Sequence, residues 1–360
     1  MKNAGTSNNA FRQRAVNCSA SILLTLIAYL IYRFSPHTQS MRGVSWQQEG
    51  TFNGSAFLSA AFVAYCLALI LFYLFERAPH ESKSVAAIRG LFRTINKPRQ
   101  VFKNGLPDAE RLGVLSVLLK AFFAPLMLLS LFGWTNAMVM NGAHVFEHLP
   151  SLRVDFLSIF NTHGFWFLFQ LIVFADITFF TIGYLVEHPR LKNQIRSVDR
   201  SWQGWAVTLA CYPPINGITN WLLGGSATEF PQFDNPVVHV AVNMAVLVLM
   251  AIYAWASVAL NLKASNLTHR GIIHHGPYRY IRHPAYVCKN AAWWLGSLPV
   301  IAAAWTVSWW SALVALAATA AWTGLYALRA LTEEDHLRKV DGEYDAYCQK
   351  VRYRFIPGVL

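Results

Sequence analysis

The chain has 360 residues, of which 55% are apolar, 14% aromatic and only 13% charged. An ordinary soluble protein carries about 25% charged residues, so this composition excludes a soluble globular domain and indicates a membrane protein. The formal net charge is +12, but we expect no nucleic-acid partner, because no basic soluble domain with interleaved aromatic residues is present. The five cysteines are scattered without paired spacing, which indicates neither a disulfide framework nor a zinc cluster.

Apolar runs long enough to cross a bilayer recur along the chain. A membrane-spanning helix needs about 20 such residues. The predicted fold is therefore all-α, a polytopic integral membrane helical bundle with about eight transmembrane helices. We assign five spans to an N-terminal bundle, residues 1–235, and three to a C-terminal core, residues 236–360. The predicted spans are residues 15–32, 55–75, 114–134, 164–185, 202–223, 236–262, 285–304 and 305–328.

Three features inside these spans carry structural predictions. Pro213-Pro214 interrupts the fifth span, which predicts a kinked or broken helix. Asp176 lies in the fourth span, and because a buried carboxylate is costly it faces protein or water, either in a substrate cavity or as a structural hydrogen-bonding group. The last two spans are joined so tightly that they predict an antiparallel hairpin.

The distribution of basic residues predicts the orientation. With the amino terminus in the cytoplasm, eight spans place 26 of the 30 Lys and Arg on that side, including those of a basic loop at residues 76–113. By the positive-inside rule both termini are then cytoplasmic. Within the loop, residues 85–95 are either a helix resting on the membrane surface or a solvated connector.

The most polar stretch, residues 269–290, reads HRGIIHHGPYRYIRHPAYVCKN and lies between two apolar runs. Its Gly276-Pro277 and His283-Pro284 steps interrupt any regular helix, because proline has no N–H and restrains the residue before it. The predicted hairpin returns Arg329 and Glu333 to the side where His283 lies. We therefore expect a structured polar junction at the membrane edge, able to hold an anion or stack on a flat ring.

Three elements of this region follow one another in order: GPYRYIRHPAY, the pair Glu333-Glu334, and EYDAYCQKVRYRFIP. Together they resemble the signature of the isoprenylcysteine carboxyl methyltransferase family and its phospholipid-methyltransferase-like relatives, over residues 236–360. The resemblance implies an integral membrane enzyme that uses S-adenosyl-L-methionine at a cytoplasmic site near the hairpin and methylates a lipidic or amphiphilic acceptor. The first five spans show no such resemblance, and we expect them to shape the acceptor pocket.

The resemblance also implies roles for particular residues. It places Arg282 and Glu334 near the transfer centre. Many relatives have a histidine where this chain has Arg270, so either His269 or His274 takes that role. The residue types suit the ligand, because arginine pairs with carboxylates and tyrosine rings attract a cationic sulfonium. The implied cofactor contacts are His274, Gly276, Tyr278, His283, Tyr286 and Glu333.

The sequence does not determine which chemical group of the acceptor receives the methyl group. A carboxylate acceptor needs no base, whereas an amine, thiol or phenol needs deprotonation by a motif histidine or Glu334. A second hypothesis is a non-catalytic membrane transporter or sensor on a similar scaffold, which the broken fifth span and Asp176 favour. A third is a zinc peptidase, because His144, Glu147 and His148 match H-x-x-E-H. No third ligand follows that pattern, and we predict no metal site.

Overall fold

The computed structural model describes residues 2–48, 52–76, 80–151, 154–224 and 227–359. Helices account for 79% of it, which confirms the all-α expectation. The chain divides into two compact units, Met1–Gly133 and Trp134–Leu360, and the boundary falls within one long helix. The predicted division between residues 235 and 236 lies elsewhere along the chain, and it stays a prediction. Arg77 of the predicted basic loop lies outside the described residues.

In the first unit, the first helix of the chain packs against the third and the fourth. Asn17 is fully buried there; its amide donates to the His80 carbonyl oxygen at 2.7 Å and accepts from the Ser82 N–H at 3.1 Å. These bonds tie the first helix to the connection after the third. The helices are α1 (Lys2–Phe34), α2 (Gln39–Gly43), α3 (Gly54–Phe75), α4 (Lys83–Asn96), α5 (Pro98–Asn104) and α6 (Asp108–Glu147), of which α6 continues into the second unit.

Helix α4 covers the loop segment for which two interpretations were open. Its small residues Ala86, Ala87 and Gly90 are buried, whereas Phe92 and Ile95 are 62% and 74% exposed. A helix of a membrane protein with basic residues and an uncovered apolar side is typical of one that lies in the headgroup region. The structure therefore favours the surface helix over a solvated connector.

The second unit contains the C-terminal helices. Only Ser308 separates α12 from α13, and the two run antiparallel, because Trp294 bonds to Thr323 and the later Ser297 bonds to the earlier Thr319. The predicted hairpin is present. The helices of this unit are α7 (Phe156–Ile159), α8 (Phe165–Leu185), α9 (Trp202–Leu209), α10 (Ile215–Leu223), α11 (Pro236–Leu260), α12 (Pro284–Val307), α13 (Trp309–Val340) and α14 (Tyr344–Lys350).

Six of the described helices are long and apolar enough to cross a membrane, which marks the chain as an integral membrane protein. The predicted count of eight is not confirmed. The fifth predicted span is broken into α9 and α10 around the cis Pro213-Pro214 step, and each piece is too short to cross alone. The seventh, α12, is less apolar because it carries Lys289 and Asn290. The six are Asn9–Phe34, Gly54–Phe75, Asp108–Glu147, Phe156–Leu185, Pro236–Lys263 and Trp309–Val340.

The stretch between α10 and α11 is held against the hairpin. The Trp322 indole N–H donates to the Gly224 carbonyl oxygen at 3.1 Å, and the Thr228 N–H donates to the Gly296 carbonyl oxygen at 3.3 Å. A Cβ built on Gly296 would overlap the Thr228 carbonyl oxygen. Glycine is therefore required where this backbone crosses α12.

We predict that Gly296→Ala lowers the free energy of unfolding by about 1–3 kcal/mol, the usual cost of overpacking. The added methyl group must push the Thr228 backbone away from α12. Gly324→Ala on α13 is the matched control, since a Cβ there meets no atom within 4 Å, and it should not lower the thermal midpoint. Unfolding of both variants in one detergent checks this, and equal midpoints would contradict the packing argument.

Candidate functional site

The start of the polar junction is fixed by a short antiparallel pair, β1 (Ser197–Val198) and β2 (Thr268–His269). The pairing continues on both sides, because the Arg196 N–H donates to the His269 carbonyl oxygen at 2.9 Å and the Asp199 N–H donates to that of Leu267 at 2.8 Å. The loop after α8 and the first motif residues are thereby joined.

The end of the junction is fixed by the C-terminal tail. The N–H groups of Arg282 and His283 donate to the carbonyl oxygens of Tyr353 and Arg354, at 3.0 and 3.1 Å. The Tyr347 hydroxyl on α14 donates to the Tyr278 carbonyl oxygen at 2.8 Å. The tail therefore closes over a segment whose regular structure before α12 is one short 3-10 helix, Gly276–Arg279.

Glu334 on α13 is completely buried and joins these parts. Its carboxylate accepts from Arg282 at 3.0 Å and from Arg338 at 3.0 Å, and it receives a two-pronged contact from Arg354 at 3.0 and 2.9 Å. The His283 Nε2 lies 3.1 Å away. One carboxylate thus binds the motif, its own helix and the tail. Such charge-assisted hydrogen bonds are stronger than those between neutral groups.

The neighbouring Glu333 points elsewhere. It accepts from the Tyr286 hydroxyl, and its carboxylate lies 3.5 Å from Arg329 Nε and 3.9 Å from His283 Nδ1. The His283 ring stacks on Tyr286 with a centroid distance of 5.5 Å and an interplanar angle of 9°. Glu333 therefore lies beside the rings of Tyr286 and His283 and the Arg329 guanidinium, at the surface of a cavity.

That cavity has a volume of about 210 Å³ and lies wholly within the second unit. Residues from α8, α11, α12, α13, α14 and the polar junction line it. Five of the eight residues that the sequence proposed for the site are among them: Tyr278, Arg282, His283, Tyr286 and Glu333. The structure therefore brings the RHP sequence and the acidic pair to one place.

The other three proposed residues do not line the cavity. His274 is exposed and lies edge-on to His275. Gly276 forms a turn with φ of +60°, where a Cβ would stand 3.0 Å from that of Ala259, so its role in the fold is to permit the turn. Glu334 does not line the cavity, and its carboxylate bonds to Arg282, Arg338, Arg354 and His283.

Sequence reasoning did not assign a second group of cavity residues. Arg329 is 4% exposed, and its guanidinium lies 5.1 Å from the centroid of the Tyr286 ring and 5.6 Å from that of Tyr212. It donates to the Asn266 side chain, whose amide donates to Tyr212 at 3.1 Å. One signal was available: Arg329 precedes Glu333 by four residues, the spacing of ion pairs on a helix. Tyr212 and Asn266 carried none.

Asp176 supports the wall of the cavity and does not line it. It is 7% exposed and accepts from the Tyr253 hydroxyl at 2.8 Å and from the Ser257 hydroxyl. Tyr253 and Ser257 do line the cavity. Of the two interpretations open for Asp176, the structural hydrogen-bonding group fits its position better.

The two histidines considered for the family position differ in location. His269 is buried at the cavity, and its Nε2 lies 2.7 Å from Asp341 Oδ2, at ion-pair distance but without hydrogen-bond geometry. Burial lowers the pKa of His269 despite the nearby carboxylate. His274 is exposed, so of the two only His269 is placed to meet a ligand.

Arg270, which stands in the position of the family histidine, is 3% exposed and lines the cavity. Its Nη1 donates to the Asn193 carbonyl oxygen at 2.9 Å, while Nε and Nη2 have no hydrogen-bond partner among the described residues. Burial lowers the pKa of Arg270. An anionic ligand in the cavity would accept hydrogen bonds from these two buried nitrogens.

The H-x-x-E-H segment lies at the end of α6. The His144 ring stacks on His163 at 4.3 Å, and its Nδ1 lies 3.9 Å from Glu147. Over the part of the chain that the structure describes, no three or more His, Cys, Asp or Glu side chains gather as a metal site would require. The segment is thus a helix end with stacked histidines.

The fold and the cavity together define a polytopic helical membrane protein whose C-terminal hairpin holds a charged, tyrosine-rich cavity. Residues 237–339 match the family model described as the isoprenylcysteine carboxyl methyltransferase (ICMT) family, which confirms the resemblance for the C-terminal third. The matched residues cover α11, α12 and α13 almost completely. No curated protein and no solved structure matches the chain significantly.

We predict that Glu334→Gln lowers the free energy of unfolding by about 3 kcal/mol, because the three arginines that meet at this buried carboxylate lose their counter-charge. The control is Asp335→Asn, whose side chain is 65% exposed and 3.8 Å from Arg338; it should change stability by less than about 0.5 kcal/mol. Thermal unfolding in detergent measures both. A Glu334→Gln protein as stable as wild type would show that the cluster is not structural.

His269 predicts a pH dependence. An unfolded histidine has a pKa of about 6.5, and burial lowers that of His269 in the folded chain. The unfolded state therefore binds the proton first, so stability should fall as pH decreases below about 6.5. His269→Gln should lose less stability over the same acidification, as measured by midpoints at pH 7.5 and 5.5. An identical loss in both proteins would assign the dependence to other groups.

Proposed function

We propose that this chain is an integral membrane methyltransferase that uses S-adenosyl-L-methionine and transfers a methyl group to a lipidic or amphiphilic acceptor. The proposal includes cytoplasmic termini and a cytoplasmic cavity, with α12 and the broken α9–α10 pair completing eight crossings. The observation that carries it is the shared cavity wall of motif residues His283 and Tyr286 and of Glu333 from α13. The family match over residues 237–339 supports it.

The cavity offers a suitable anchor for the carboxylate of the cofactor's amino-acid head. Arg270 presents two buried N–H groups without a partner among the described residues. Beside it Gly271 has a φ of +104°, and Lys263 Nζ stands 3.1 Å from where a Cβ would lie. A turn without a side chain between two cations lets a carboxylate approach closely.

The remaining parts of the cofactor match other groups of the wall. When bound, the cofactor supplies a methyl group on a cationic sulfonium. Tyr278 and Tyr286 would stack on the adenine or face the sulfonium, because aromatic faces attract cations. Glu333 would accept from the ammonium group or the ribose hydroxyls. His283 orients Tyr286 by stacking on it.

The two residues that the resemblance places near the transfer centre receive different roles. Arg282 lines the cavity, and its Nε has no hydrogen-bond partner among the described residues, so it remains proposed as a contact of the reacting groups. Glu334 is fully buried under several cations. We therefore propose it as a positioning residue that holds Arg282 and His283, and not as a base.

Part of the cavity lining suits an amphiphilic acceptor. Phe180, Leu260, Tyr253 and Tyr326 line the cavity, and we propose that they receive the apolar part of the acceptor. An apolar chain placed against them would bring its head group towards Tyr286. Holding two reactants in this way accounts for much of the rate enhancement in transfers that need little acid–base chemistry.

A transporter or sensor on the same scaffold is the second candidate. One observation favours it: Tyr212, at the break between α9 and α10, lines the cavity. A broken helix beside a ligand cavity is common in transporters. Incubation with methyl-labelled cofactor and a total lipid extract separates the two, because only the enzyme produces a labelled lipid.

We predict that S-adenosylhomocysteine raises the thermal midpoint of the purified protein. A ligand that binds only the folded state at 100 times its Kd contributes about 2.7 kcal/mol. Glu333→Gln should weaken this binding at least tenfold, because it removes the negative charge that pairs with the ammonium or strengthens the bonds from the ribose hydroxyls. Asp335→Asn, two residues further along α13 and mostly exposed, should bind as the wild type does.

Titration of the midpoint against S-adenosylhomocysteine concentration gives the three affinities. A well-folded wild-type protein without any response would contradict the cofactor assignment. Equal weakening by Asp335→Asn would show that the effect of Glu333 is not local.

A further inference from the structure

Helices α4 and α5 belong to the first unit, and none of their residues lines the cavity. They form most of the connection between α3 and α6. Residues 83–104, which contain both helices, include six of the eight Lys and Arg of the predicted basic loop, residues 76–113. The proposed function gives this basic segment no role. Its contacts and its unpaired charges indicate a ligand of its own.

Small residues fix the position of α4 against α6. A Cβ built on Gly113 of α6 would stand 2.7 Å from the Ala87 nitrogen and from the Lys83 carbonyl oxygen. One built on Gly90 of α4 would stand 3.0 Å from Val114. The two helices therefore touch through their backbones. The predicted third span begins at residue 114, so α4 crosses α6 where that span enters the bilayer.

Polar bonds hold α4 in this position. Glu110 of α6 is 5% exposed and accepts two bonds from Arg93, both of 2.7 Å. The Ser21 hydroxyl of α1 donates to the Ser84 hydroxyl at 3.0 Å. Helix α4 is thus attached to two membrane-spanning helices at the boundary of the bilayer.

Three large apolar side chains of this segment are uncovered. Phe92 and Ile95 of α4 are exposed, and Phe102 of α5 is 96% exposed. At the membrane boundary such side chains insert between lipids, because the acyl chains remove their surface from water. We therefore expect α4 and α5 to lie in the plane of the interface, with their basic side chains among the head groups.

The charges of the segment do not balance. Lys97, Arg99 and Lys103 are exposed, and in the described part of the chain no carboxylate lies within 4.0 Å of any of them. These cations are interleaved with the uncovered apolar residues, a pattern that fits a lipid with an anionic head group. The three carboxylates between residues 80 and 111 each lie within 4.0 Å of another arginine: Glu81 of Arg89, Glu110 of Arg93 and Asp108 of Arg111.

We infer that α4 and α5 form a binding surface for anionic phospholipids, whose head groups pair with Lys97, Arg99 and Lys103 while their acyl chains contact the apolar side chains. The inference is independent of the proposed function, because it involves no residue of the cavity. Each Lys or Arg near the membrane surface adds to the attraction for an anionic lipid. A zwitterionic lipid gains less, because its own cationic group is repelled by the same residues.

The first test measures lipid selectivity in the wild-type protein. Full-length protein in a neutral detergent is titrated with phosphatidylglycerol and, separately, with phosphatidylcholine of the same acyl chains, and native mass spectrometry counts the bound lipids. We expect the anionic lipid to bind at least tenfold more tightly. Glycerophosphoglycerol, the same head group without acyl chains, should not compete, because it lacks the part that the apolar side chains receive.

The second test removes the charges. Binding of phosphatidylglycerol should weaken at least tenfold in a triple variant that carries Lys97→Gln, Arg99→Gln and Lys103→Gln. The thermal midpoint without lipid shows whether the variant is folded. Wild-type affinity should remain in the matched control, which removes three exposed cations of the second unit: Lys339→Gln, Lys350→Gln and Arg352→Gln.

The third test locates the bound lipid and needs no variant. The wild-type protein is placed in nanodiscs of phosphatidylcholine, with and without phosphatidylglycerol. The anionic lipid should slow amide hydrogen exchange of residues 98–104 at least threefold, because a helix held at the surface opens less often. Sodium chloride at about 0.5 M should remove most of this effect, since salt screens exposed charges.

Several results would overturn the inference. Phosphatidylcholine binding as tightly as phosphatidylglycerol, or unchanged exchange of α5 in anionic nanodiscs, would do so even where the triple variant does not fold. Unchanged affinity in a folded triple variant would also do so, and an equal loss in the control would assign the effect to net charge. Competition by glycerophosphoglycerol would assign the cations to a soluble anion. Dimers that disappear on Phe102→Ser would assign the apolar side chains to a second copy of the chain.

Discussion

The buried carboxylate of Glu334 is the interaction on which the second unit depends. It accepts bonds from Arg282 of the polar junction, from Arg338 one turn along its own helix and from Arg354 of the tail. The junction is broken by prolines and the tail is only partly helical, but the two share a buried apolar cluster in which Ile272 packs against Tyr344, Tyr347 and Val351. Loss of the carboxylate would leave the arginines without a counter-charge, which is strongly destabilising for a buried ion pair.

The hairpin of α12 and α13 connects the Glu334 carboxylate with the cavity. Successive residues of an α-helix point about 100° apart, since a turn takes 3.6 residues. Glu333 and Glu334 therefore face different surroundings: one meets Tyr286 and Arg329 at the cavity, and the other meets the cations beneath. Gly296 lets the backbone before α11 lie against α12. The acidic pair thus divides into Glu333, which faces the cavity, and Glu334, which holds the residues of its wall.

The cavity combines two kinds of environment. Arg270 and Arg329 are buried cations of its wall, and Arg270 has two nitrogens without a hydrogen-bond partner among the described residues. Tyrosines, a phenylalanine and Lys289 also line it. The wall therefore combines positive charge with aromatic surface.

The sequence alone determined the membrane class, the hairpin and the proximity of the RHP sequence to the acidic pair. Each follows from local patterns: run length, proline positions and the tight turn near Ser308. The resemblance to the ICMT family depended on such local motifs as well, and it holds over residues 237–339. These features can be predicted from the sequence because each is set by residues that are neighbours along the chain.

Tertiary structure decided which residues face the cavity. His269 lies there while His274 is exposed, Glu333 faces it while Glu334 does not, and Tyr212 joins it from a broken helix some 70 residues before the motif tyrosines. The Lys289 ammonium group lies over the rings of Tyr253, Trp293 and Tyr326, which come from α11, α12 and α13. The direction of a side chain in a helical bundle depends on how distant helices rotate and pack, and no local spacing records that.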